Sequence, residues 1–228
     1  METGYRTNSA QATCAEFAIH KGDFHPLDVN NLPARKLLVG LGVLSMNKIS
    51  HRVAEIWIAH SFAPTFEIIT NGSDGDHVLA GVPGGDAVPF ETLIQCLEPP
   101  YLLLYVLHTP RGEGAPGRYQ SPPLSFGQVR GFVSQYGAFF SVDSRFDLWA
   151  HSPSSRATVV WDRHNQLFGY GPVDSFLRAL RSIGFTPGEV SLQFPHVHHY
   201  RQEFDDDAAK VMDAFQWSSS PLRPEYEQ

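Results

Sequence analysis

Two segments of the chain resemble each other, and this internal similarity constrains the fold more than any other feature. Trp57 lies shortly before Ala-His-Ser in EIWIAHS (55–61), and Trp149 does so in DLWAHS (147–152). Each motif precedes a hairpin-like stretch, a helix pattern that opens with proline, and a strand pattern that ends in histidine. Repeats of this length set the architecture. The sequence therefore predicts an α+β fold of two similar α-β-β-β-α-β units, with helices packed on antiparallel sheets.

The repeat also predicts how the chain is divided. Four regions are expected: an irregular N-terminal arm over 1–30, a first α+β unit over 31–107, a connector over 108–124, and a second α+β unit with a C-terminal helix over 125–228. The connector is rich in proline, glycine and arginine, and loops of this length are often functional. Trp57 and Trp149 are predicted to be equivalent and buried, because each lies in a strand among apolar neighbours.

Apolar periodicity and turn residues predict the individual elements. Helices are expected over 32–46, 89–97, 126–140, 172–183 and 206–216, and strands over 53–60, 66–70, 77–82, 101–107, 146–151, 157–161, 167–170 and 190–194. Ser125 has the position of an N-cap, and Gly184 that of a helix C-cap. The first helix is ambiguous, since Val39, Val43 and two glycines also permit a strand there.

Composition excludes several classes of protein. Hydrophobic residues make up 42% of the chain and charged residues 18%, which indicates a packed core rather than disorder. Acidic residues number 24 against 17 basic ones, giving a net charge of -7, and this argues against a nucleic-acid partner. Two cysteines are too few for a disulfide framework, and the longest apolar run, Tyr101–Leu107, is too short to span a bilayer. We expect a cytoplasmic protein without a membrane partner, whose acidic surface suits a basic protein partner or simply solubility.

The densest group of potential ligands is PHVHHYRQEFD (195–205). His196 and His198 would share one face of an extended segment, and Glu203 or Asp205 could add oxygen ligands. No His-Glu-x-x-His helix or cysteine pair accompanies them. The alternative is a polar segment that leaves a sheet and packs through its aromatic residues. We therefore assign no metal ligand, cofactor or catalytic residue from the sequence.

The repeat suggests a second arrangement of histidines. His60 and His151 occupy equivalent places in the two units, as do His108 and His196. In a pseudo-symmetric fold these four could converge on one polar site, although histidines at strand ends more often bond to nearby backbone groups. Gly81–Gly85 is glycine-rich but lacks the Lys-Ser/Thr of a phosphate-binding loop, and no Gly-x-Ser-x-Gly elbow occurs.

Four short segments of the second half resemble parts of uncharacterised bacterial proteins. They are RYQSPPLS (118–125), WDRHN (161–165), FGYG (168–171) and PHVHHY (195–200), within a resemblance that covers roughly residues 100–228. Proteins of this kind are small, acidic and α+β, and some act as immunity proteins to polymorphic toxins. The resemblance implies a protein-binding role and carries no catalytic motif.

We therefore predict a non-enzymatic binding protein that neutralises a toxin partner or regulates another protein. Arginine and tyrosine dominate interface energetics, so the connector and the segment near 196–207 are the expected binding surface. The candidate partner-binding residues are Arg111, Arg118, Tyr119, His198, Tyr200, Arg201, Asp205 and Asp206. The alternative is a metal-dependent hydrolase or oxidoreductase that uses His196, His198 and Glu203.

Overall fold

The computed structural model describes residues 46–70 and 75–223. The strands are β1 (Ile49–Val53), β2 (Ile56–Ala59), β3 (Thr65–Ile69), β4 (His77–Gly81), β5 (Leu102–Leu107), β6 (Gly117–Gln120), β7 (Phe146–Ser152), β8 (Ala157–Trp161), β9 (Gln166–Tyr170), β10 (Thr186–Pro187), β11 (His196–His198) and β12 (Ser218–Ser220). The α-helices are α1 (Val88–Ile94), α2 (Phe126–Val142), α3 (Val173–Ser182) and α4 (Asp205–Asp213). The fold is α+β, as predicted.

Nine strands of the described residues form one large sheet in the order β10-β3-β4-β9-β8-β7-β5-β6-β12. Its pairs are antiparallel, apart from the short parallel pair of β10 with β3. Strands of the predicted first unit, 31–107, lie at two places in this order, with strands of the second, 125–228, between them and beyond them. The two segments therefore do not fold as separate sheets. The predicted connector, 108–124, is also part of the fold, because β6 lies within it and pairs with both β5 and β12.

The main core lies between one face of the large sheet and the helices. Alternate residues of the central strands point toward this core, as the period of a strand requires. Each helix contributes to it, through Phe90 of α1, Phe139 of α2, Phe176 of α3 and Val211 of α4. All six residues of β5 are buried, which matches its continuous apolar sequence. Ser125 begins α2 with a reciprocal capping box to Gln128, as its N-cap position predicts.

Three strands form a separate small sheet in the order β11-β1-β2. Here the predicted equivalence of the two tryptophans is wrong. Trp57 lies in β2 of the small sheet with 47% of its surface exposed, whereas Trp149 lies in β7 of the large sheet and is 6% exposed. Ile58 separates Trp57 from Ala-His-Ser, and no residue does so after Trp149. A slip of one residue places a strand side chain on the opposite face.

Two further predicted elements need correction. The single strand expected over 53–60 is the hairpin of β1 and β2, whose turn contains Ala54 in the left-handed region at φ 52°. The strand expected over 190–194 has no regular secondary structure, although Val190 packs against Phe62 and Leu79. The helix predicted over 32–46 lies outside the described residues apart from Met46, as does most of the turn cluster at 71–75. The other predicted elements are confirmed to within a few residues.

Candidate metal centre

The register of the small sheet places several histidines on one face. His51 of β1 lies opposite His196 of β11, and Ile49 lies opposite His198. Residues directly opposite each other in an antiparallel pair project to the same side of the sheet. His51, His196 and His198 therefore share a face, while Ser50 and His199 bond to each other at 2.7 Å through Oγ and Nε2.

His164 reaches this face from the tight turn between β8 and β9. Asp162 shapes the turn, since its Oδ1 accepts hydrogen bonds from the backbone N–H of His164 and of Gln166 at 2.9 and 2.7 Å. Asn165 takes the left-handed conformation at φ 67°, and its side-chain Oδ1 accepts a hydrogen bond from the indole N–H of Trp161 at 3.0 Å. Asparagine tolerates this conformation well. The turn is thereby fixed against the core with His164 at its tip.

The rings of His164, His196 and His198 form a nearly equilateral triangle. Their centroids are 5.3, 4.9 and 5.3 Å apart. An imidazole that binds zinc at ~2.0–2.1 Å has its centroid ~3.2 Å from the ion, so two such rings at a tetrahedral angle are about 5.2 Å apart. One nitrogen of each ring already lies within 4.8 Å of one in each of the others. The three side chains therefore have the spacing of metal ligands.

The hydrogen bonds of His164 and His196 leave one ring nitrogen of each free to bind a metal ion. His164 Nδ1 lies 2.6 Å from Asp162 Oδ2, and His196 Nδ1 lies 3.0 Å from the carbonyl oxygen of Phe194. Metal-binding histidines commonly donate one ring N–H to a carboxylate or carbonyl, which orients the other nitrogen. In both residues Nε2 is then the free ligand atom. His198 Nδ1 is buried without a hydrogen-bond partner in the described residues, and its ring stacks on Tyr200.

Burial and nearby positive charge keep His198 neutral. Burial, together with His164, Arg163 and His196, lowers the pKa of His198 to about 3. A histidine must be neutral to bind a metal ion. His198 is therefore in its ligand form at any physiological pH.

Lys48 anchors the turn that carries His164. Its Nζ is completely buried and donates a hydrogen bond to the carbonyl oxygen of Asp162 at 2.8 Å. The ammonium lies 4.9 and 4.8 Å from the ring centroids of Phe146 and Trp161, an arrangement favourable to a cation. Burial lowers the pKa of Lys48 to about 8, although Asp162, Asp147 and Asp143 oppose the change.

The sequence identified two members of the histidine group and missed the third. His196 and His198 were recognised from their alternation, whereas Glu203 and Asp205 are not among the grouped ligands. Nothing in the sequence indicated that His164 is a ligand, because WDRHN (161–165) is typical of a tight turn. The four-histidine convergence is wrong. His151 bonds to Thr158 at 2.9 Å, and His108 bonds to Asp147 at 2.9 Å.

A buried ionic cluster engages several predicted partner-binding residues. The Arg145 guanidinium is fully buried and bonds to Asp143, Glu113 and Asp205 at 2.9, 3.2 and 3.0 Å. Burial alone would lower the pKa of Arg145, but its bonds to Asp143 and Glu113 raise it above its usual value. Arg111 pairs with Asp205 at 3.0 Å. The cluster ties the connector to the start of α4.

Of the remaining predicted partner-binding residues, Arg201 also joins the cluster, because its carbonyl oxygen accepts a hydrogen bond from Arg145 at 2.9 Å, and the others lie outside it. Arg201 bonds through its guanidinium to the carbonyl oxygens of Val142 and Asn47, both at 3.0 Å. The others are Arg118 and Tyr119 in β6, Tyr200 beside His198, and Asp206 in the first turn of α4. Partner contact through any of these residues stays a prediction.

Comparisons with known proteins add no family to these observations. No family model, curated protein or solved structure matches the chain. Among the described residues, no helix combines the length and apolar character needed to cross a membrane.

Proposed function

We propose that the chain is a metal-binding protein whose centre consists of His164, His196 and His198. The triangular arrangement of their rings is the observation that carries this proposal. Imidazole nitrogens suit zinc and other first-row divalent ions. The carboxylate of Asp162 and the carbonyl oxygen of Phe194 supply the outer hydrogen bonds that such ligands require.

The number of ligands favours a catalytic centre over a structural one. Structural zinc sites use four protein ligands, whereas three histidines leave a position for water, whose pKa zinc lowers to about 7. Hydrolysis or hydration is therefore the proposed class of reaction. The protein's part in it is to hold three neutral nitrogens in place, with the fixed turn supporting His164 and the small sheet supporting His196 and His198.

Metal titration by calorimetry, with elemental analysis of the dialysed protein, tests this proposal. Zinc should bind at micromolar concentration or tighter, and H164Q, H196Q and H198Q should each weaken the tight site at least about 100-fold. His77→Asn is the matched control, because His77 stacks on Tyr170 in the large sheet, away from the group. Absence of stoichiometric zinc binding, or equal affinity in all five proteins, would refute the metal centre.

Binding to a protein partner, including neutralisation of a toxin, is the second candidate. The observation that favours it is the distribution of exposed large hydrophobic side chains. Among the described residues these are Met46, Val53, Ile56, Trp57, Ile58, Ile68, Val88, Val197 and Tyr200. All but Ile68 and Val88 lie in the small sheet or within three residues of it. Concentrated apolar surface is typical of interaction sites.

This second candidate has a direct test. The product of the coding sequence next to the gene would be purified and titrated with wild-type protein, W57D and I68D. Trp57 and Ile68 are equally exposed, at 47% and 46%, but only Trp57 lies in the small sheet. Loss of binding in W57D alone supports the candidate. No binding by the wild type argues against it.

A further inference from the structure

Two histidines outside the proposed centre, His51 and His60, lie on the same face of the small sheet as that centre. His51 projects to the side of His196, and His60 follows β2 with its backbone N–H bonded to the carbonyl oxygen of Ile49 at 3.0 Å. The rings of His51 and His60 have centroids 5.1 Å apart and are almost perpendicular. This is the separation found within the His164, His196 and His198 triangle.

Each ring has a nitrogen for which the described part of the chain provides no hydrogen-bond partner. His51 Nδ1 and His60 Nε2 are buried, and neither has a hydrogen bond to any described residue. Burying a polar atom without a partner is costly, so such atoms in native proteins call for an explanation. Phe194 and Phe62 pack around the pair, with ring centroids 4.7 and 4.5 Å from that of His60. These apolar neighbours offer the nitrogens no hydrogen bond.

We propose that His51 and His60 bind a second divalent transition-metal ion beside the three-histidine centre. Two rings with this centroid separation can share one ion at a tetrahedral angle, by the same geometry as in the first site. Zinc, copper(II), nickel and cobalt are the class of ion that imidazole ligands take. Two protein ligands hold an ion less tightly than three, so this ion binds more weakly than the first.

The pair adjoins the first site. His51 lies directly opposite His196 across β1 and β11, and the ring centroid of Phe194 is 4.7 Å from that of His60 and 6.0 Å from that of His196. Neighbouring metal ions of this kind can orient a substrate and activate water together. The proposal deepens the proposed function but relies on different side chains.

Zinc titration separates the two proposals. Wild-type protein should bind two equivalents in distinguishable steps, and H51N/H60N should bind one equivalent with the tighter affinity preserved within about threefold. H77N should behave as the wild type. One equivalent in the wild type, unchanged in H51N/H60N, would overturn the second site and leave the first intact. No binding at all would overturn both.

A measurement on the unaltered chain covers the case in which H51N/H60N fails to fold. Copper(II) would be added to the wild-type protein at one and then two equivalents, and the electron paramagnetic resonance spectrum recorded. The first equivalent should give an isolated signal, and the second should broaden it through dipolar coupling between neighbouring ions. Two equivalents without broadening, or a second equivalent that stays free in solution, would mean that His51 and His60 serve packing only.

Discussion

Asp162 Oδ2 lies 2.6 Å from His164 Nδ1, within a turn whose backbone the same carboxylate also holds. One side chain therefore sets both the position of His164 and the ring nitrogen that carries its proton. A carboxylate partner makes an imidazole a stronger ligand. Asp162 thus acts as a positioning residue for the proposed metal centre.

Replacing Asp162 with asparagine should weaken zinc binding about 10–100-fold, the usual loss when an outer-shell partner of a ligand is removed. The asparagine oxygen can still accept the two backbone hydrogen bonds, so the turn should persist. Its amide group no longer supplies a charged acceptor to His164. Calorimetric titration measures the effect. Asp86→Asn is the control, because Asp86 accepts a backbone hydrogen bond from Val88 in a similar way but bonds to no histidine among residues 46–70 and 75–223. Equal affinity of D162N and D86N would contradict this role.

The buried ammonium of Lys48 should make the protein more stable as the pH rises above 8. In the folded protein its pKa is about 8 against an ordinary 10.5, so between these values the unfolded chain binds a proton that the folded chain has released. Raising the pH through this window favours the folded state. At ~1.4 kcal/mol per pH unit, the gain is about 2 kcal/mol over roughly pH 8 to 9.5.

Urea denaturation of the wild type and of Lys48→Met across this range measures the effect. The difference in stability between the two proteins isolates Lys48 from other groups that titrate. K48M should lack the alkaline gain. The same slope in both proteins would mean that Lys48 has an ordinary pKa.

The two tryptophans should respond very differently to truncation. Trp149 packs with Leu104, Val106 and Val160, so W149A should lower the free energy of unfolding by about 3–5 kcal/mol. Trp57 is half-exposed, so W57A should lower the free energy of unfolding by less than about 1 kcal/mol. Chemical denaturation of the two single variants decides the matter. Similar losses at both positions would restore the equivalence that the repeat predicts.

Arg145 should be one of the least replaceable residues of the fold. Arg145→Ala removes the guanidinium that balances the buried carboxylates of Asp143 and Glu113, and a broken buried pair costs about 3–5 kcal/mol. Arg111→Ala is the control, because its ion pair with Asp205 is partly exposed and such pairs contribute ~0–1 kcal/mol. The midpoints of denaturant unfolding compare the two. A loss below about 1 kcal/mol in R145A would show that the cluster relaxes freely.

Local patterns in the sequence predicted most elements of the large sheet. The apolar run of β5, the capping box of α2 and the amphipathic α3 are each encoded by neighbouring residues. The small sheet was not predicted, because the exposed strand β2 depends on pairing with β1, and β1 pairs with a strand more than a hundred residues away. Such pairing leaves no periodic signal within one segment.

The candidate site shows the same limit. His196 and His198 alternate along one strand, so their shared face follows from the chain itself. His164 joins them only because the β8–β9 turn packs against the small sheet, a relationship without any local signature. The interactions of Arg111 and Arg201 were missed for the same reason. Their type suggested an interface, while their partners, Asp205 and Val142, lie far away in sequence.

The partners of Arg145 have a consequence for how the protein is made. They come from Glu113, Asp143, Arg201 and Asp205, so they span much of the chain. During synthesis the central strands leave the ribosome well before Asp205 does. The guanidinium must then keep its water of hydration, since burying it with an incomplete set of partners is unfavourable. Residues 201–205 therefore determine when the segment around Arg145 can close.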